Sequence, residues 1–523
     1  MASSPSERAV TGRTLWELVE ERAEATPDAS MAVDEFGTSL TFLEYKISAE
    51  RVAAGLSRIG VTLGSNVSWE LPTWIESLVL VAALSRLGAV QNPIIPIYRA
   101  REVGFIVRQT SARLLIVPSV FRGFDYGNMA DQLASEVGEL EVLVVDKVLP
   151  DGDPACLPAA PRSPASGEEL PVRWLFYTSG TTADPKGAKH TDASIMAAAR
   201  AMNEALQLTA DDRGGLVFPF THIGGITWLF SGLMSGCFQV LVEAFDPAKT
   251  IPLLADHLVT LAGSGTPFHM AYLAEQRKRP DRPLFSKVRA FPGGGAPKPP
   301  QLHYDIKREL GGVGIVSGYG LTECPILSMC SIHDPDEKLA GSEGRPAPGV
   351  DVRVVKVDET EAKPQEEGEI RVTAPQLYRG YLDSSLNADA FDALGYFRTG
   401  DLGVRDEQGY LVITGRLKDI IIRKGENISA KEIEDLLYTH PKVADVAVIG
   451  LADPAVGERC CAVVAPTLDA DPISFQEMID FLLDKELMKQ KLPEQLEIVE
   501  AVPRNPSGKI LKHQLRDQFS GRK

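Results

Sequence analysis

The 523-residue sequence is short of three things: cysteine, basic residues and long apolar runs. Its six cysteines form no Cys-x-x-Cys pair and no cysteine–histidine ligand spacing, so neither a disulfide framework nor a metal site built on them is expected. A compact apolar run, residues 78–84, is far shorter than the roughly 18 residues that a membrane helix needs. The amino-terminal MASSPSERAV has no apolar core, which predicts no signal peptide. We therefore expect a cytoplasmic chain with free thiols and no transmembrane segment.

The deficit of basic residues bears on the class of partner. Lysine plus arginine number 54 against 71 aspartate plus glutamate, so the formal net charge is -17. A surface with this charge repels nucleic acids and anionic membranes, and no nucleic-acid partner is expected. A negatively charged small molecule would need its own local cluster of positive charge. The oligomeric state stays open at this point, with a homodimer as one arrangement.

The order of the apolar segments predicts two domains of unequal size. Strand-like runs such as LLIVP (114–118) and VLVVD (142–146) alternate with helical patterns through the first four hundred residues. Beyond about residue 415 the elements are short, and two helices begin with the capping-box pattern Ser-x-x-Glu, at Ser429 and Ser474. The predicted fold is α/β: a large amino-terminal domain of several subdomains, with sheets and flanking helices, followed by a small α+β domain over 420–523.

One polar loop, FYTSGTTADPKGAKH (176–190), has the composition of a phosphate-binding turn. Glycine lets backbone N–H groups approach a phosphate chain, while hydroxyls and a lysine donate further hydrogen bonds. The position five after Gly180 is Pro185, so this is not the common phosphate loop, which has glycine there and then Lys-Ser/Thr. We predict a strand before the loop and a helix after it.

Five further segments carry residues suited to nucleotide chemistry. FPGGGAP (291–297) predicts a strand that ends in glycines, where a flat base can approach the backbone, and SGYGLTECP (317–325) adds an aromatic ring, a hydroxyl and a carboxylate suited to Mg²⁺. The other segments are GYFRTGDLG (395–403), GYLVITGRLKDIIIRKGENIS (409–429) and PRNPSGKILK (503–512).

Taken in this order, the six motifs resemble those of the AMP-forming acyl-CoA synthetases, a family of adenylate-forming enzymes. The resemblance runs from about residue 15 to residue 516. It implies ATP, Mg²⁺ and coenzyme A as cofactors: a carboxylic acid attacks the α-phosphate of ATP to give acyl-AMP and pyrophosphate, and the thiol of coenzyme A then displaces AMP. It also implies a large ATP- and acyl-binding domain over 1–415, a hinge over 416–419 and a mobile small domain over 420–523 that carries the catalytic lysine.

The resemblance assigns binding roles residue by residue. The residues assigned to bind the phosphate chain of ATP are Thr178, Ser179, Gly180, Thr181, Thr182 and Lys186. The residues assigned to bind the adenosine part of ATP are Gly293, Gly294, Gly295, Tyr319, Gly320, Asp401 and Arg416. Lys418 marks the hinge, and Lys424 and Gly425 belong to the loop that turns toward the thiol.

Four residues receive catalytic roles from the same resemblance. Thr322 would contact the α-phosphate, Glu323 would bind Mg²⁺, and Lys509 would bridge the attacking carboxylate and the α-phosphate. His222 would gate the acyl pocket, although a histidine at this place is also compatible with simple packing. Independently of the family, two anions that must meet need a metal ion and a lysine to offset their repulsion.

The predicted acyl-pocket segment, LVFPFTHIGGITWLFSGL (216–233), contains no aspartate or glutamate. An amino-acid substrate would need a carboxylate for its ammonium group, so the segment predicts an apolar acid, with a fatty chain or an alicyclic or aryl ring. Phe220, Trp228, Phe268 and Met270 are candidates for its apolar wall. Three other functions stay open: an enzyme that loads an acyl group onto a carrier protein, a luciferase-like oxygenase, and an inactive binding protein of the same fold.

Overall fold

The structure is a computed structural model that describes residues 10–164, 170–178, 185–296, 298–423, 426–467, 471–505 and 508–520. Its helices are α1 (Leu15–Ala25), α2 (Phe42–Arg58), α3 (Ile75–Leu87), α4 (Ala100–Gln109), α5 (Tyr126–Val137), α6 (Asp192–Leu206), α7 (Ile223–Ser235), α8 (Pro247–Asp256), α9 (Thr266–Arg277), α10 (Pro300–Leu310), α11 (Asp336–Gly341), α12 (Asn387–Ala390), α13 (Ala430–Leu437), α14 (Phe475–Asp484) and α15 (Lys512–Phe519).

Strands outnumber helices and form separate sheets. They are β1 (Ser30–Asp34), β2 (Ser39–Thr41), β3 (Asn66–Trp69), β4 (Val90–Pro93), β5 (Leu114–Val117), β6 (Val120–Phe121), β7 (Phe124–Asp125), β8 (Glu141–Val144), β9 (Trp174–Thr178), β10 (Lys186–His190), β11 (Arg213–Leu216), β12 (Phe238–Leu241), β13 (Phe291–Gly293), β14 (Ile315–Tyr319), β15 (Ser328–Met329), β16 (Arg345–Pro346), β17 (Asp351–Val355), β18 (Gly368–Thr373), β19 (Phe397–Arg405), β20 (Leu411–Arg416), β21 (Ile421–Arg423), β22 (Glu426–Ile428), β23 (Val443–Asp453), β24 (Gly457–Pro466) and β25 (Gln495–Ile498).

The large domain contains four sheets of four or more strands. A six-stranded sheet in the order β10-β9-β4-β3-β5-β8 is parallel except for β10. Four-stranded sheets in the orders β11-β12-β1-β2, β13-β14-β15-β16 and β17-β18-β19-β20 complete it. The predicted α/β architecture is therefore confirmed for this domain.

The short apolar run at 78–84 is the centre of α3. Every side chain in the run is at most 5% exposed, because α3 lies between the sheet and other helices and contributes to the largest core cluster. A helix that is apolar on all sides is buried on all sides. Within the described residues, each helix is too short or too polar to cross a membrane.

The strand before the loop segment 176–190 and the helix after it form as predicted, but the segment also contains a second strand that was not predicted. Residues 186–190 form β10, which pairs antiparallel with β9, so that Lys186 lies opposite Thr178. Helix α6 begins only at Asp192, after the capping residue Thr191. The described ends of the loop, Thr178 and Lys186, therefore belong to two paired strands, and the predicted helix follows the second strand.

The small domain is built on a five-stranded sheet in the order β22-β21-β24-β23, with β25 paired to β24. One core packs a face of this sheet against α13 and α14, and a second core packs the other face against α15. The α+β architecture is as predicted. The residue limits 1–415, 416–419 and 420–523 stay predictions.

Only one of the two predicted capping boxes is complete. Ser474 and Glu477 exchange both hydrogen bonds at the start of α14. At α13, Ser429 accepts from the backbone N–H of Glu432 at 3.4 Å, but the Glu432 carboxylate accepts from Lys491 at 2.6 Å instead of returning to the cap. A charge-assisted pair replaces the second capping bond there.

Candidate active site

A cleft of about 250 Å³ lies where the two domains meet. The large domain lines it with the glycine-rich ends of β13 and β14 and with residues at the facing ends of β19 and β20, and the small domain adds the Lys509 turn and the start of α15. The residues predicted for the site that line this cleft are Gly295, Tyr319, Gly320, Asp401, Arg416, Lys418 and Lys509. Segments from both domains therefore contribute to one site.

Asp401 is the fixed carboxylate of the cleft. The pairing of β19 with β20 places it directly opposite Arg416, whose Nε donates to Oδ1 at 2.5 Å. The Tyr319 hydroxyl donates to Oδ2 at 2.7 Å. Burial, followed by the charge of Asp401, raises the pKa of Tyr319 well above its usual value, so that the phenol keeps its proton. A carboxylate with free lone pairs beyond these two donors can accept hydrogen bonds from sugar hydroxyls.

The glycines after β13 make a side-chain-free wall next to Tyr319. Strand β13 pairs in parallel with β14 through Gly293 and Ser317. A Cβ atom on Gly294 would lie 2.8 Å from the Gly318 carbonyl oxygen, closer than any real Cβ contact, so the two segments approach this closely only because Gly294 has no side chain. Bare backbone beside an aromatic ring is a surface that suits a flat base.

Lys509 reaches the cleft from the small domain on a tight turn. Gly508 adopts φ +86, and a Cβ there would lie 3.0 Å from the Pro267 ring of the large domain, so the turn packs directly on that domain. Burial, and then the nearby positive charges of Arg416 and Lys418, lower the pKa of Lys509 to about 8. The lysine is therefore still mostly charged at neutral pH.

Glu323 lies further along the loop that follows β14, and Tyr381 fixes its orientation. The Tyr381 hydroxyl donates to Glu323 Oε1 at 2.7 Å, and the carboxylate residue is 9% exposed. Backbone hydrogen bonds between β10 and residues 379–382 bring Tyr381 to this place, where the Lys186 ammonium lies 5.3 Å from its ring. Tyr381 was not predicted from the sequence.

A buried histidine that the sequence analysis did not single out supports Thr322. His190 is fully buried, and its Nε2 lies 2.8 Å from the Thr322 carbonyl oxygen. A carbonyl can only accept, so Nε2 carries the proton. Burial lowers the pKa of His190 to about 4, which keeps the ring neutral. The sequence offers no signal that separates such a histidine from an ordinary packed one.

His222 caps α7 and also faces Thr322. Its Nδ1 accepts from the Gly224 backbone N–H at 3.1 Å, and burial lowers its pKa to about 4. With Thr322, Tyr177 and Ile94 it lines a cavity of about 10 Å³. The two interpretations from the sequence, packing and pocket gate, are thus both compatible with its position.

The expected apolar wall is divided in the structure. Phe220 and Trp228 line a cavity of about 10 Å³ behind α7. Phe268 and Met270 belong to another core cluster, in which Phe268 packs edge-on against Phe245. The second cluster also includes Val217, so both pairs contact the segment 216–233, but from different cores.

Several predicted binding residues lie outside the described residues. These are Ser179, Gly180, Thr181, Thr182, Lys424 and Gly425. The ends of the phosphate loop, Thr178 and Lys186, are described and lie opposite each other at the start of the hairpin connection.

The geometry defines a class of protein with two domains, in which the small domain brings a lysine into a cleft that the large domain lines with a buried carboxylate and glycine-rich turns. A family model for "AMP-binding enzyme" matches residues 19–382, and a model for "AMP-binding enzyme C-terminal domain" matches residues 432–509. The chain belongs to this family of AMP-forming acid–CoA ligases, which confirms the resemblance drawn from the motifs.

Individual relatives match over nearly the whole chain. A medium-chain fatty-acid–CoA ligase of Escherichia coli K12 is 32% identical over 97% of this chain and 91% of its own. A salicyl-AMP ligase / salicyl-S-ArCP synthetase of Mycobacterium tuberculosis H37Rv is 30% identical over 97% and 91%. The crystal structure of ATP-bound MatB from Rhodopseudomonas palustris superposes with a TM-score of 0.86 at 26% identity, covering 96% of this chain and 99% of that one.

Proposed function

We propose that the chain converts an apolar carboxylic acid and ATP into acyl-AMP and pyrophosphate, and then converts acyl-AMP and coenzyme A into acyl-CoA and AMP. One observation carries the proposal. Lys509 of the small domain lies in the same cleft as Asp401 and Arg416 of the large domain. This arrangement suits the first step, in which a carboxylate must approach a polyphosphate, because the lysine adds positive charge where the two anions meet.

The large domain supplies the residues that we propose to bind ATP. Asp401, held by Arg416 and Tyr319, accepts the ribose hydroxyls, and the wall formed by Gly293, Gly294 and Gly295 borders the adenine. The loop at 178–186 binds the phosphates. The register of Thr178 and Lys186 supports this assignment, because it places a hydroxyl and an ammonium side by side at the base of the loop.

The residues around Glu323 fit a magnesium ion. Mg²⁺ is usually bound through one or two carboxylates together with substrate phosphates and water, and rarely by a protein cage. Among the described residues no group of three or more acidic, histidine or cysteine side chains forms such a cage. Within the part of the chain that the structure describes, Glu323 Oε1 accepts one hydrogen bond, from Tyr381, which leaves lone pairs for the ion. Bound there, Mg²⁺ would neutralise phosphate charge.

The substrate class is proposed from the residues around His222. The segment 216–233 has no carboxylate that could pair with an ammonium group, and its cavities are lined mainly by apolar side chains such as Ile94, Phe220 and Trp228. The name of the Escherichia coli relative, a medium-chain fatty-acid–CoA ligase, points the same way. We therefore propose a fatty, alicyclic or aryl acid.

The test is a panel of acids assayed in two stages. Acid-dependent exchange of labelled pyrophosphate into ATP should require Mg²⁺ and should be faster with apolar acids than with alanine or phenylalanine. Addition of coenzyme A should then give thioester and AMP in equal amounts. Exchange that fails with every fatty, aryl and alicyclic acid would contradict the proposal and favour an inactive binding protein.

A second candidate is an enzyme that loads a carrier protein. The relative whose name includes salicyl-S-ArCP synthetase supports it, because that protein matches this chain over a similar length. The two candidates share the adenylation step and differ in the thiol. If acyl-AMP reacts with a pantetheinylated carrier protein but not with free coenzyme A, the second candidate is correct.

Three accompanying proposals concern the whole chain. We propose that residues 416–419 are the hinge on which the small domain turns between the two steps, and that Lys424 and Gly425 then face the thiol. A cytoplasmic location is supported by six cysteines that are all free and mostly buried. Cell fractionation tests the location, and light scattering tests whether the protein is a homodimer.

A further inference from the structure

The turn that carries Lys509 is closed by its own hydrogen bonds. The backbone N–H of Asn505 donates to the Lys509 carbonyl at 2.9 Å, and the Asn505 side-chain oxygen accepts from the Lys509 N–H at 2.9 Å. The N–H of Gly508 donates to the Asn505 carbonyl at 2.8 Å. These bonds hold Asn505, Gly508 and Lys509 together, and a further hydrogen bond, from the Leu511 N–H to the Pro503 carbonyl at 2.9 Å, closes the base of the turn.

One guanidinium group, that of Arg504, ties the turn to the body of the small domain. One terminal nitrogen donates to the Gly508 carbonyl at 2.6 Å. The other donates to Asp445 Oδ1 at 2.8 Å and to the Tyr438 hydroxyl at 3.2 Å, and Nε donates to Asp445 Oδ2 at 3.1 Å. All three nitrogens of the planar guanidinium group therefore donate hydrogen bonds. Together they join the lysine turn to Asp445 and to Tyr438.

The two anchors of Arg504 belong to the framework of the small domain. Tyr438 is the residue at the carboxyl end of α13, and Asp445 lies in β23, whose neighbours form the domain core. The Arg504 side chain is 15% exposed and that of Asp445 is 19% exposed. The pair therefore lies largely out of solvent, between the rigid sheet and the lysine turn.

We propose that Arg504 is a positioning residue for adenylation: bound to Asp445 and Tyr438, it holds the Gly508 carbonyl and so places the Lys509 ammonium in the cleft. The inference rests on the proposed role of Lys509. It concerns only the first half-reaction, because thioester formation from acyl-AMP does not use this lysine in the proposed scheme. A displacement of about 1 Å at a reacting group can cost on the order of 10²-fold in rate.

The test compares Arg504→Lys in the two half-reactions. A lysine can pair with Asp445 as a point charge, but it lacks the planar fork that also reaches the Gly508 carbonyl. The maximal rate of pyrophosphate exchange should fall on the order of 10²-fold, while the KM for ATP and the rate of thioester formation from supplied acyl-AMP stay within about twofold. Arg459→Lys is the matched control. Arg459 lies in β24 of the same domain, donates to Gln495, is 13% exposed, and should leave both half-reactions within about twofold of wild type.

Two further variants distinguish a failure of the proposed positioning role from a failure of the proposed function. Tyr438→Phe removes two hydrogen bonds, one from Arg504 to the hydroxyl and one from the hydroxyl to Asp445, without removing charge. Exchange should therefore fall by a smaller factor, about threefold to tenfold, and this can be measured even if Arg504→Lys does not fold. Lys509→Ala tests the proposed function itself. If it leaves exchange intact, the role of Lys509 is wrong. The positioning role of Arg504 is overturned by either of two results. In the first, Lys509→Ala abolishes pyrophosphate exchange but Arg504→Lys and Tyr438→Phe do not slow it. In the second, Arg504→Lys and Tyr438→Phe slow both half-reactions equally, which would make Arg504 only structural.

Discussion

Adenylation should lose activity on the alkaline side near pH 8, because Lys509 loses its charge there. Burial lowers the pKa of Lys509 from the ordinary lysine value of 10.5 to about 8, with Arg416 and Lys418 adding to the effect and Asp401 and Asp419 opposing it. The lysine is charged below this pKa and neutral above it. The neutral form adds no positive charge between the carboxylate and the phosphate, so activity is kept below pH 8 and lost above it.

The expected loss follows from the titration of a single group. Beyond the pKa, each pH unit reduces the charged fraction about tenfold, so kcat/KM should be about 10²-fold lower two units above it. The measurement is acid-dependent pyrophosphate exchange at subsaturating ATP, because kcat/KM reports groups of the free enzyme. A constant acid of low pKa keeps the substrate ionised across the range.

Lys509→Arg is the control for this profile. A guanidinium stays charged throughout the range, so the variant should be slower overall but should have no alkaline limb near pH 8. Two results would refute the reasoning. In the first, the kcat/KM of the wild type stays constant to about two pH units above 8. In the second, Lys509→Arg loses activity above pH 8 as the wild type does, which would assign the titration to another group.

Three other substitutions test neighbouring parts of the site. Lys418→Pro fixes φ at the proposed hinge, so thioester formation should fall at least about tenfold while pyrophosphate exchange is retained; equal losses in both steps would contradict the hinge. Asp401→Asn removes the charge proposed to accept hydrogen bonds from the ribose hydroxyls, so the KM for ATP should rise on the order of tenfold or more in the exchange assay. An unchanged KM would exclude this role. His222→Ala should change the order of preference in the acid panel more than the KM for ATP. An unchanged order would leave His222 as a helix cap only.

Much of the fold could be predicted because local patterns carry it. The buried run at 78–84 forms α3, the run at 114–118 forms β5, and Ser474 caps α14 as its sequence pattern predicts. Each of these signals lies within a few residues of the element that it determines. The strand at 186–190 was not predicted, since KGAKH becomes a strand by pairing with β9, a partner that its own sequence does not indicate.

The sequence by itself determined which chemical groups are candidates for the site: the glycine-rich turns, the carboxylates Glu323 and Asp401, and the lysine of PSGK. Motif order and composition suffice for this, because each motif is a short contiguous segment. The tertiary structure decided which groups meet. The β19–β20 register places Arg416 on Asp401, the edge of β10 brings Tyr381 to Glu323, and the docking of the small domain puts Lys509 in the cleft. These contacts join residues that are far apart in the chain. The distances between their atoms depend on how the whole molecule packs, and no local sequence pattern predicts that packing.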